Sequence, residues 1–207
     1  MPLIKIKETL NYKYALWKIN ESTRDLLNQL DVNKEELIEI EKFRDIKRKK
    51  QNISARLLLN ILSKKKELLT YSKNGRPKSR SFKYISISHS NNYCILLTSC
   101  HNTGVDIQYK HPNIKKLSDK FLNTIEKKLI NFDNKVNDLH FIWCAKESIY
   151  KTLDNLPCSF KKNIQIKHIN NKMESLGYYM HNKTHISYNI EYEIMDNYFI
   201  GIAKQKS

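Results

Sequence analysis

The chain has 207 residues, 40% hydrophobic and 28% charged, with 37 Lys and Arg against 21 Asp and Glu and a formal charge of +16. That composition belongs to a folded chain with a genuine core rather than a disordered one, and no apolar run, Cys94 to Leu97 among them, approaches the length needed to span a bilayer. The excess charge admits nucleic acid, anionic lipid, a phosphate-rich small molecule or an acidic protein as partner, and in a chain rich in Lys, Asn and Ile part of it is compositional background.

The first residues, "MPLIKIKETL", alternate like a strand and lack the apolar stretch and cleavage site of a signal peptide, so a cytoplasmic address is expected. After Asn20, Ser22 or Thr23 can cap a helix carrying Leu26, Leu27 and Leu30, and Asn33 opens a longer helical region running to Lys65. Within that region acidic residues precede basic ones, as suits the helix dipole. The stretch "TYSKNGRPKSRS" reads as a loop, and "YISISHSNNYCILLTSC" as two strands turning at Ser90-Asn91-Asn92. "TGVDIQ" follows as a strand, then helical spacing from Lys115 to Ile130 and from Asn137 to Leu153, and mostly strands beyond Pro157.

Sliding the sequence on itself by 105 residues aligns "YISISHSNNYCILLT" with "NIEYEIMDNYFIGIA" without a gap, so that Ile85 meets Ile190 and Asn92-Tyr93 meets Asn197-Tyr198. The expectation is an α+β fold built as a pseudo-twofold pair of similar α+β halves, residues 1–103 and 104–207, each with a small antiparallel sheet and a long helix and with a site between them; chance likeness of hairpins is the alternative.

Cys94, Cys100, Cys144 and Cys158 form no Cys-x-x-Cys pair, which argues against a zinc cage or disulfide scaffold, and His181 and His185 lack a second ligand pair. Asp106 and Gln108 share one face of a strand and suit a hard cation or its water, although an exposed polar strand end reads the same way. In "FIWCAKESIYK", Ile142, Ala145, Ile149 and Leu153 make a core face, while Trp143, Glu147 and Lys151 form a second stripe with Lys146 beside it. Glu147 and Lys151 are either a solvated ion pair or, covered by the indole, a metal carboxylate beside phosphate-binding ammonium groups. Ser88 and His89 fit phosphate contacts, a structural histidine, or a hydrolase pair, the last without any Gly-x-Ser-x-Gly.

"GRP" at Gly75, "ISISHS" at Ile85, "GVDIQ" at Gly104, "KFLNTIE" at Lys120 and "WCAKESIYK" at Trp143, in this order and preceded by the basic "KRKKQNISARLLL", resemble the 4′-phosphopantetheinyl transferases of the surfactin-synthetase-activating type. The resemblance spans roughly the whole chain. It implies a monomer that moves phosphopantetheine from coenzyme A to a serine of an apo carrier protein, with Mg2+ bridging the pyrophosphate in a cleft between halves and 3′,5′-ADP leaving. It also implies Asp106 and Glu147 as metal ligands, with Gln108 at the third position. Lys146 and Lys151 would stabilise phosphate charge, Lys151 also serving the leaving group. Ser88, His89 and Arg76 would hold nucleotide phosphates, with Arg48 and Arg56 at the 3′-phosphate. Where many members carry Gly-x-Asp-x-Glu this chain has Gln108, which leaves Glu126 as the general base if it is not an ordinary exposed helix carboxylate. Neither nucleic acid nor membrane is an expected partner on this reading; a basic nucleic-acid-binding protein using "KRKK" is the alternative.

Overall fold

The computed structural model describes residues 2–130, 135–169 and 173–206. It is mixed α+β, with small antiparallel sheets and several helices, and divides into two compact units, Met1–Cys100 and His101–Ser207. The division falls just before the expected boundary because Thr103 already pairs with Lys204 in the second unit's sheet.

In the first unit, β1 (Leu3–Glu8) and β2 (Tyr12–Lys18) precede α1 (Thr23–Leu30), whose cap is Ser22 in a capping box with Asp25. A second box, Asn33 with Glu36, opens α2 (Lys34–Glu41). The expected continuous helix from Asn33 is two helices, because the Asp45 carboxylate accepts from the Arg48 amide and starts α3 (Ile46–Ser63) afresh. The expected loop holds two short paired strands, β3 (Thr70–Tyr71) and β4 (Pro77–Lys78), joined through Gly75 at φ +76°, a left-handed position that favours glycine. β5 (Tyr84–Ser90) and β6 (Tyr93–Ser99) complete a sheet ordered β1-β2-β6-β5. Ile53, Leu58 and Leu59 of α3 pack with Ala15, Trp17, Ile85, Cys94 and Leu96 to make the core.

The second unit runs β7 (Thr103–Tyr109), α4 (Ile114–Phe121), α5 (Thr124–Lys127), α6 (Lys135–Tyr150), α7 (Phe160–Asn163), β8 (Ile164–Ile169), β9 (Glu174–His181), β10 (Thr184–Met195) and β11 (Tyr198–Gln205). The helical spacing expected over Lys115 to Ile130 is broken after Phe121, because Asn123 caps α5 and its box partner is Glu126. The sheet order is β7-β11-β10-β9-β8, antiparallel throughout. Ile142, Ala145 and Ile149 of α6 face this sheet as the helical wheel requires, with Leu139 and Cys144 beside them.

The two hairpins aligned in the sequence keep the same register. The pairs His89 with Cys94 and Ser90 with Tyr93 become, 105 residues on, Ile194 with Phe199 and Met195 with Tyr198. Asn91 and Asp196 take the same left-handed turn position, at φ 49° and 51°. No helix among the described residues is long and apolar enough to cross a membrane.

Candidate functional site

α6 approaches β7 and β11 closely because glycine stands where it crosses them. A Cβ on Gly104 would lie 2.0 Å from the Ser148 carbonyl oxygen, and one on Gly201, the cross-strand partner of Asp106, 2.9 Å from the Cys144 Cβ. The Ser148 hydroxyl fixes the contact by donating to the Gly201 carbonyl at 2.8 Å. With the helix seated there, the i and i+4 residues of its second stripe, Glu147 and Lys151, come to Asp106.

Asp106 is 2% exposed, and both of its carboxylate oxygens are met. Lys151 Nζ donates to Oδ1 at 2.7 Å and to the Val105 carbonyl at 2.9 Å, while Gln108 Nε2 donates to Oδ2 at 3.0 Å. An ammonium group has three N–H donors, so Lys151 retains one beyond these two bonds for a further acceptor. Burial, with the adjacent Asp106 charge added and the Lys151 ammonium opposing, pushes the Glu147 carboxyl up to about 7. Two carboxylates near one ammonium are short of positive charge, and the oxygen donors of Asp106 and Glu147 fit a hard divalent cation. Among the described residues no group of three His, Cys, Asp or Glu side chains gathers to hold a metal, so such a cation must complete its coordination with ligand oxygens or water.

A raised carboxyl retains its proton more tightly in the folded state than in the unfolded one. Its contribution to stability is therefore full below the ordinary value of 4.5 and is lost as pH rises through about 7. Glu147→Gln is expected to leave stability almost unchanged at pH 4.5 and to raise it by about 2 kcal/mol at pH 8 in metal-free buffer, read by urea denaturation at both pH values.

Glu126 and Lys146 lie elsewhere in this unit. Both side chains are fully buried, 2.7 Å apart, and Lys146 Nζ donates to the carbonyls of Phe121, Phe160 and Ile164 at 2.7 to 2.8 Å. Glu126 Oε1 accepts from the Ile166 amide and Oε2 from the Asn123 amide. Burial lowers the Lys146 pKa and the Glu126 charge offsets it. Both Glu126 oxygens and the Lys146 ammonium are thus taken up inside this unit, by each other and by main-chain groups, at the positions where the sequence reading has Glu126 as a general base and Lys146 at a phosphate.

In the first unit, Arg48, Gln51, Asn52, Tyr71, Gly75 and His89 line a concavity of about 260 Å3, which brings together the basic helix, the glycine loop and the histidine strand. Arg76 turns its guanidinium over the Tyr84 ring at 5.7 Å. Arg56 does not join them: it is 3% exposed and donates to Glu36, Asn52 and the Leu69 carbonyl. Ser88, 6% exposed, lies on the face of β5 opposite His89.

Sequence reasoning missed Gly104, Gly201 and Ser148 as the residues that seat α6. Glycine inside a strand is itself a signal of close backbone approach, legible in "TGVDIQ" and "FIGIA". No protein-family model matches the chain, and no curated protein is detectably similar to it.

Proposed function

We propose that the chain is a Mg2+-dependent phosphopantetheinyl transferase that primes apo carrier proteins, and that its two units are counterparts of one ancestral α+β half in the pseudo-twofold arrangement. The observation that carries the reading is the Asp106, Lys151 and Glu147 cluster, in which the Asp106 carboxylate of β7 meets the Lys151 ammonium, which keeps one N–H beyond its two bonds, and the Glu147 carboxylate of α6 lies near enough to feel both charges. The corresponding hairpins support the repeat.

In this reading Asp106 and Glu147 hold the cation, whose chemistry when bound is to neutralise the donor's pyrophosphate. The carrier serine Oγ forms a bond to the β-phosphorus, the bond from that phosphorus to the bridging oxygen breaks, and 3′,5′-ADP carries away the electron pair. Lys151 donates its remaining N–H toward the oxygen on which charge grows. The serine proton passes to solvent, since Glu126 is enclosed. Arg48, Arg76 and His89 are the first unit's candidates for the nucleotide phosphates. Arg56 acts instead through the Glu36 ion pair, and Lys146 with Glu126 ties α6 to α4, α5 and β8.

Incubation with several different apo carriers, coenzyme A and Mg2+, followed by mass measurement, is expected to show one carrier gaining a phosphopantetheinyl group; no gain on any carrier would sink the reading. Asp106→Ala and Glu147→Ala are each expected to lower the transfer rate at least 100-fold while the folded fraction is unchanged, as a loss of roughly 3 kcal/mol of transition-state stabilisation implies.

A further inference from the structure

Lys151 reaches Asp106 from just beyond the last residue of α6, where a helix end ordinarily frays. Its amide still bonds the Glu147 carbonyl at 3.0 Å, but from the next residue the winding tightens: the amides of Thr152 and Leu153 donate to Ile149 and Tyr150, three residues back. Thr152 holds this turn in place. It is 3% exposed, its hydroxyl donates to the Ile149 carbonyl at 2.7 Å, and a second hydrogen bond of 2.8 Å joins that hydroxyl to the buried Tyr188 hydroxyl of β10. The Thr152 carbonyl accepts from Asn102 Nδ2 at 3.1 Å, and the same amide group donates to Gln205 Oε1 at 2.9 Å. Asn102 stands one residue before β7, the strand that carries Asp106, and Gln205 is the cross-strand partner of Tyr188. The turn that carries Lys151 is thereby tied to the sheet that carries Asp106. The tie matters because an ammonium on a flexible four-carbon stem keeps its two bonds, to Asp106 and to the Val105 carbonyl, only while its backbone is held.

We infer that Thr152, with Tyr188 and Asn102 behind it, is the anchor that positions Lys151 against Asp106. These three are positioning residues, acting through the backbone next to the lysine. That the positioned lysine serves the reaction rests on the transferase reading; that the anchor holds it does not.

Acetylation of the full chain with acetic anhydride, resolved by peptide mass spectrometry, reads each lysine separately. In the wild type Lys151, its side chain 24% exposed and its ammonium twice bonded, is expected to label roughly tenfold or more below exposed Lys47, with fully buried Lys146 protected. The double variant Thr152→Val, Tyr188→Phe removes both hydroxyls and keeps their shape, and the Ile149 carbonyl retains the amide of residue 152, so the chain is expected to fold. In it Lys151 labelling should rise roughly fivefold or more relative to Lys47 while Lys146 stays protected. Thr152→Ser, which keeps the hydroxyl, should label as the wild type does. Unchanged Lys151 labelling in the folded double variant would overturn the inference. So would a rise at Lys146 in step with Lys151, because the three residues would then brace α6 as a whole. The transfer assay tests the anchor's use: the double variant is expected to lose roughly tenfold or more in kcat with KM for coenzyme A unchanged. Full kcat with Lys151 released would show that the anchor does not serve the reaction. A wild type that transfers nothing defeats the transferase reading, and the labelling still decides whether the anchor holds Lys151.

Discussion

Lys146→Met is expected to destabilise the protein by about 3–5 kcal/mol, enough to unfold a domain of ordinary stability near physiological temperature. The reason is what remains behind. Glu126 is fully buried, and without the ammonium at 2.7 Å its charge keeps only two main-chain amides as partners, while the carbonyls of Phe121, Phe160 and Ile164 lose their donor together. Pairing the change with Glu126→Gln should recover part of the loss. The amide removes the stranded charge, its oxygen still accepts from Ile166 or Asn123, and its nitrogen can donate to a freed carbonyl. Denaturant titration of the two single variants and the double variant measures the coupling, expected to exceed 1 kcal/mol in favour of the double variant. A lysine that served only to bind phosphate would give the opposite pattern: transfer lost, denaturation midpoint unchanged, and no coupling to Glu126.

Both members of that pair were visible in the sequence as charged residues in motif positions, and only one of their roles was legible. Asn123 and Glu126 stand at the capping-box spacing, the same Asn-x-x-Glu that opens α2 at Asn33 and Glu36, so a structural task for Glu126 could be read from four residues. Nothing local could pair it with Lys146, because the contact spans a change of helix, and the three carbonyls come from Phe121, Phe160 and Ile164, up to 25 residues distant. Helix starts were legible wherever a side chain closes its own first turn, as at Ser22 and Asn33. Asp45 gives the same signal inside a longer periodic stretch and was submerged by it. The stripe of Glu147 and Lys151 followed from the 3.6-residue period, and the shared face of Asp106 and Gln108 from the alternation of a strand. That Lys151 bonds Asp106, and that Gln108 turns its nitrogen to the same carboxylate, depends on how near the helix lies to the sheet, which periodicity does not encode.

That distance is set at Gly104, and Gly104→Ala tests it. The new Cβ would sit 2.0 Å from the Ser148 carbonyl oxygen, 3.0 Å from its carbon and 3.2 Å from Thr152 Cγ2, and the first two are helix backbone that cannot rotate aside. Relief requires α6 to withdraw from β7 by more than about 1 Å, which costs about 3 kcal/mol or more as overpacking against a rigid neighbour. It also pulls Lys151 and Glu147 away from Asp106, two residues along the same strand face. The expected result is a lowered denaturation midpoint together with loss of divalent-cation binding, read with Mn2+. Gly201→Ala, where the Cβ would meet Cys144 at 2.9 to 3.1 Å, should do both more mildly. Gly177→Ala serves as the control, because its closest neighbours are the Cδ1 atoms of Ile149 and Ile190, at 2.5 and 2.7 Å, which are side-chain ends able to turn away. Stability should fall there by about 1–2 kcal/mol with metal binding retained. A Gly104→Ala protein that keeps wild-type stability and metal affinity would mean that α6 does not rest on β7 at this distance, and the cluster built from that contact would have to be abandoned with it.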